Sequence, residues 1–184
     1  FAAKEVVAVF GSYDDRPAAQ NFLSQYKNLA HHFYHHRGRT EASTFWAGCG
    51  AIRKLAFLEV GGFHVEKYQR PSIEDIELGY RLRQAGGVIM LIPSLKSTHL
   101  KEWRFVNLIH TEVFCRAIPW SRLMLEQTGM VNDLNVSRAE RLRAGLAGIF
   151  FLVLLAVITG WLPWWTAIVL AVGVAWANRH LLSL

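Results

Sequence analysis

The stretch Ser72-Ile73-Glu74-Asp75-Ile76-Glu77-Leu78-Gly79-Tyr80-Arg81-Leu82 leads through Gly86-Gly87 into Val88-Ile89-Met90-Leu91-Ile92-Pro93, and it decides the fold class. Its acids gather where a helix would begin, which complements the helix dipole. Gly86-Gly87 ends that helix, and residues 88–92 form a short apolar run that reads as a strand stopped by Pro93. The same alternation holds upstream. Val6-Val7-Ala8-Val9-Phe10 is a β-branched apolar run closed by the turn residues 11–15, and Pro17 suits the first turn of a helix over about residues 18–36. Residues 44–47 read as a second strand running into Gly48-Cys49-Gly50, and 52–60 as a helix stopped by Gly61-Gly62. Strands alternating with helices argue an α/β domain with a mostly parallel sheet.

Of the 184 residues, 52% are hydrophobic and 18% charged. That is too apolar for a disordered chain and too sparsely charged for an ordinary soluble domain, where about a quarter of residues carry charge. The charge is unevenly placed. Residues 144–184 hold only Arg179, whereas the first 143 carry 19 Lys+Arg against 14 Asp+Glu. The uncharged run 144–177 would be about 51 Å long as one helix, against a hydrocarbon core of about 30 Å. Gly160-Trp161-Leu162-Pro163-Trp164-Trp165 in its middle combines chain breakers with interfacial aromatics. Two short spans, about 144–160 and 163–177, are therefore expected to form a hairpin, either transmembrane or, both spans being near the lower length limit, re-entrant. Arg138, Arg141 and Arg143 precede it and Arg179 follows it. The positive-inside rule then places the front domain in the cytoplasm, on a multi-pass protein of the inner (plasma) membrane.

Between these parts, Trp103, Val106, Leu108, Ile109, Val113 and Phe114 are interleaved with Lys101, Arg104, Arg116 and Arg122. This suits helices lying at a membrane surface, and equally an amphipathic helix packed on the domain. The expected organisation is an α/β domain over 1–99, interfacial helices and linker over 100–143, the hairpin over 144–178 and a cytoplasmic tail over 179–184. Basic charge that mounts towards an apolar segment points to anionic lipid headgroups rather than nucleic acid. Cys49 and Cys115 lack CxxC spacing and make no disulfide framework, which suits a reducing compartment. The strand-like run so close to Phe1 suggests a fragment whose N-terminal part is missing.

Candidate chemistry concentrates at residues 72–82. As a local pattern, Ser72 with an acid three residues on is a capping box, and Glu74, Asp75 and Glu77 would serve the dipole alone. The other reading is a carboxylate held at a helix start and facing a cleft, kept ionised by backbone N–H groups and able to accept a proton. His31-His32-Phe33-Tyr34-His35-His36 offers two pairs at i, i+4, which one helix face could present to a metal. No acid sits between them, so exposed or cleft-lining histidines are the simpler account. His99, after a strand, could be a metal ligand or a plain strand-end residue.

The segments Phe45-Trp46-Ala47-Gly48-Cys49-Gly50, Val60-Gly61-Gly62-Phe63 and Ile73-Glu74-Asp75-Ile76-Glu77 follow in order, trailed by Gly86-Gly87, Pro93 and His99. Together they resemble the C-terminal half of the family 2 glycosyltransferases, the inverting GT-A-fold enzymes, over roughly residues 5–120. The resemblance implies a partial GT-A-like (Rossmann-like) domain of the membrane-bound branch. It implies Asp75 as general base, Glu74, Gly48, Cys49 and Gly50 on the substrate side, and Mg2+ or Mn2+ held mainly by the missing N-terminal half, with His99 as a further ligand. Arg116 would neutralise a diphosphate and Trp120 stack on a sugar, or both would anchor an interfacial helix. The partners implied are a nucleotide-sugar donor, a lipid-linked or saccharide acceptor, and membrane lipids. Two departures stand in the chain: no Asp-x-Asp occurs, and Arg116-Ala117-Ile118-Pro119-Trp120 lacks the Gln-x-x-Arg-Trp spacing of processive synthases. The reading from another class is a membrane adaptor or a metal-binding protein built on the histidines.

Overall fold

The apolar run opened by Val6 becomes β1, Val6–Tyr13, three residues longer than its β-branched stretch predicts. The computed structural model describes residues 3–126 and 133–183. After β1 come α1 (Phe22–Arg37), β2 (Glu41–Ala42), a 3₁₀ turn (Ala47–Cys49), β3 (Gly50–Ile52), α2 (Lys54–Glu59), α3 (Glu74–Gln84) and β4 (Val88–Ser97). Next follow α4 (Phe105–His110), a π-helical turn (Thr111–Ala117), α5 (Ile118–Glu126), α6 (Arg138–Ile158), α7 (Trp165–Ala177) and α8 (Arg179–Leu182). The α/β class holds. The chain forms two compact units, Phe1–Leu134 and Asn135–Leu184.

The sheet has the order β2-β4-β1-β3, and it is mixed rather than mostly parallel. β1 and β4 pair in parallel at its centre, while β3 and β2 pair antiparallel on the outside. β2 and β3 have two and three residues, and such short edge strands leave little unpaired edge.

Residues 44–47 are a correction of another kind. Phe45 is buried, yet the segment joins no ladder: Thr44 Oγ1 donates to the Ile76 carbonyl at 3.2 Å, and α3 covers it. Its apolar residues mark burial beneath a helix. That contact requires glycine at 79, because a Cβ there would lie 2.3 Å from the Phe45 backbone nitrogen. Pro93 also does not end its strand. β4 runs through it, and the register breaks between Phe10↔Leu91 and Ser12↔Lys96, so the residue without an N–H falls in a bulge. The helix expected over 18–36 starts at Phe22, because the Asn21 side chain accepts from the Ser24 N–H at 3.0 Å and caps it.

One core gathers Ala8, Phe10, Ala42, Phe45, Leu78, Leu82, Ile89 and Leu91 between the sheet and α3. A second holds Ile73, Tyr80 and Leu123, with Trp120 packed against them, and joins the start of α3 to α5. The charges of α3 brace it from outside. Arg81 pairs with Glu77 at 2.8 Å and donates to the carbonyls of Val60 and Gly62. The Gly61-Gly62 turn it clasps has φ +80° and +66°, which glycine adopts without strain.

In the second unit, Ser137 caps α6 by accepting from the Glu140 N–H at 3.3 Å. The helix starts six residues before the expected span. Its 21 residues make about 31 Å, and it is the one helix among the described residues long and apolar enough to cross a membrane. The break expected at 160–165 is present, with Gly160 at φ +80° after the helix end. α7 contacts α6 and is shorter, at 13 residues.

Candidate active site

Asp75 is in the first turn of α3, and backbone geometry fixes its carboxylate. Oδ2 accepts from the Ala47 N–H at 2.9 Å, and Oδ1 from the Ile76 N–H at 2.8 Å. The capping box does not form: the N-cap residue is Ile73. The Ser72 hydroxyl instead donates to the Cys115 carbonyl at 2.6 Å, and Glu74 Oε2 accepts from the Ser72 N–H at 2.7 Å. Glu74 thus braces the loop that presents Asp75, and Ser72 ties that loop to the π turn carrying Arg116. Burial pushes the Asp75 carboxyl above its ordinary range. The two N–H groups pull it down, and neighbouring Glu74 adds to the rise.

Tyr13 stands where β1 ends, and His99 follows the end of the parallel β4. Ligands of open α/β sheets sit at such carboxyl ends. The Tyr13 ring meets Trp46 edge-on at 4.6 Å, His99 at 4.5 Å and His31 at 5.8 Å. Its phenol is pushed up by burial first; Arg116 lowers it, while Asp75 and Cys49 raise it. Asp75, Cys49 and Arg116 therefore act on one hydroxyl, and the fold brings these three sequence candidates together. Gly48 and Cys49 lie in the 3₁₀ turn whose first residue, Ala47, holds Asp75, and Gly50 carries that turn into β3.

Cations line the same place. Lys27 pairs with Glu112 at 2.9 Å, and Glu112 pairs with Arg116 at 3.1 Å. The Lys101 ammonium sits 3.8 Å over the Trp103 ring. His99 is buried, stacked against Trp103 at 6.2 Å, and its ring is held below its ordinary value by burial, then by Lys101, Arg116 and Lys27. Trp120 packs against the second core and donates its indole N–H to the Tyr80 hydroxyl at 3.3 Å.

The four histidines divide. His31 packs beside Tyr13, and His32 Nδ1 donates to the Tyr13 carbonyl at 2.8 Å. His36 is exposed, while His35 is buried between Phe10 and Trp46 with ring distances of 5.8 and 4.8 Å. Among the described residues, no group of three His, Cys, Asp or Glu side chains could hold a metal ion, at these histidines or at His99.

Sequence reading missed Tyr13, Lys27, Lys101 and Glu112. The carboxyl end of a central strand was a signal for Tyr13, and nothing local marks the others. Comparison with family models, curated proteins and solved structures returns no match. The chemistry of the site rests on its geometry.

Proposed function

We propose that this chain is the acceptor-side part of a membrane-anchored inverting glycosyltransferase. The Asp75 carboxylate takes the proton of an acceptor hydroxyl as that oxygen bonds to the anomeric carbon of a nucleotide-sugar. The carbon–oxygen bond to the diphosphate breaks, and the electron pair leaves with the phosphate. One observation carries the reading: a carboxylate fixed by two backbone N–H groups acts, together with Arg116, on the Tyr13 phenol at the end of β1. A base whose affinity for protons is raised is a better acceptor near neutral pH, and a guanidinium fork matches the leaving phosphate oxygens. A divalent cation, Mg2+ or Mn2+, would neutralise the leaving group; the described residues offer no three-ligand set for it, and no step here uses it.

The acceptor in this reading is lipid-linked or a saccharide. The exposed side chains of Leu100, Phe105, Val106 and Phe114 suit a lipid surface. α6 and α7 are read as a hairpin in the inner (plasma) membrane, with both ends cytoplasmic.

Asp75→Asn in the intact protein tests the base. Single-turnover transfer should slow about 10²–10⁴-fold, with stability changed by only about 1 kcal/mol. In the parent, transfer should rise with pH as Asp75 ionises, and the variant should lose that rise. Transfer near the parent rate would show that Asp75 only starts the helix.

A further inference from the structure

Glu112 lies on the π turn between α4 and α5, and turns of this kind are frequent at functional sites. Its carboxylate is shared between two cations. Oε2 accepts from Lys27 of α1 at 2.9 Å, and Oε1 accepts from Arg116 at 3.1 Å. The Lys27 side chain is 20% exposed, so its ammonium has given up most of its water.

The charged and titratable groups acting on or with Lys27 come from three places. Glu112 and Arg116 belong to the π turn, Lys101 and His99 to the segment after β4, and His31 to its own helix. Burial disfavours the Lys27 charge most, Glu112 supports it, and Arg116 and Lys101 oppose it. The same Glu112 supports the charge on Lys101. One carboxylate therefore serves three cations.

We propose that Glu112 is a positioning residue, whose bridge holds Lys27 and Arg116 as one fixed pair for the anionic group bound at the site. The inference rests on the reading of that group as a diphosphate. Without the carboxylate, two neighbouring cations repel each other and Lys27 releases its proton more readily. An arginine in the same place would stay charged, because a guanidinium does not deprotonate in this range.

The test is calorimetric titration of inorganic pyrophosphate into the intact protein, in metal-free buffer between pH 7 and 10.5, the ordinary lysine value below which burial holds Lys27. Glu112→Gln should weaken binding about 10–100-fold, with the loss deepening as pH rises and Lys27 neutralises. Adding Lys27→Arg to that variant should remove the extra pH dependence. A loss equal at every pH and untouched by Lys27→Arg would mark a spacer and overturn the proposal. So would binding equal to, or tighter than, that of the parent. If Glu112→Gln shows no cooperative thermal transition, Lys27→Met with Glu112 intact replaces it; it should bind pyrophosphate at least tenfold more weakly, since charge-assisted bonds carry at least that much, and unchanged affinity refutes the pairing. Failure of the parent to bind pyrophosphate would instead sink the diphosphate reading, and the inference with it.

Discussion

Replacing Gly79 by Ala should destabilise the α/β unit, although helix propensity alone says the opposite. In an exposed helix interior the exchange gains about 1 kcal/mol. Here the new Cβ would stand 2.3 Å from the Phe45 nitrogen, 2.8 Å from the Thr44 carbonyl carbon and 2.9 Å from the Thr44 Cα. All three are backbone atoms, so no side chain can swing aside. An ordinary contact needs α3 and the 44–46 segment to separate by about 1 Å, and overpacking of that size costs about 3 kcal/mol. The net loss is about 2 kcal/mol, a fall of about 7 °C in thermal midpoint for a unit of this size.

The same movement reaches the site. Ala47 lies on one side of the contact and Asp75 on the other, joined at 2.9 Å. A separation of about 1 Å takes that bond past hydrogen-bonding range and should lower transfer about 10²-fold. Thermal unfolding by circular dichroism and single-turnover transfer, measured side by side, read both effects. A midpoint equal to or above the parent's would refute the close approach of α3.

Burial holds the His35 imidazole down at about 4 from 6.5, so the unfolded chain binds its proton first. The neutral ring's contribution is full above about pH 6.5 and is lost as pH falls towards 4, about 3 kcal/mol in all. His35→Leu should flatten that slope in urea titrations across pH 7 to 4.5, and an unchanged slope would show that the ring stays solvated. Arg81→Met leaves buried Glu77 without its guanidinium and should cost about 3–5 kcal/mol. Adding Glu77→Gln should recover part of the loss in denaturant melts, and full additivity of the two changes would refute the pair. A single cysteine at position 164, with Cys49 and Cys115 replaced, should react with an impermeant thiol reagent added outside intact cells. Reaction from the cytoplasmic side alone would overturn the proposed topology.

Local pattern set much of this protein. The glycine stops at 61–62 and 86–87, the strand begun at Val6, the start of α3 and the break at 160–165 follow from backbone preferences that act over a few residues. The charge-free run after residue 143 likewise fixes where apolar helices lie, because composition alone decides what water rejects. Asp75 could be singled out from its place at a helix start, but its hydrogen-bond partner could not: the Ala47 N–H arrives through packing of α3 on residues 44–46. Sheet direction, the burial of Thr44 and Phe45 without a ladder, and the joining of Lys27, Glu112 and Arg116 all depend on surfaces distant in sequence. An apolar residue encodes that it will be buried and leaves open against what, and a charge encodes its sign and leaves open its partner. Only the packed chain decides those two questions.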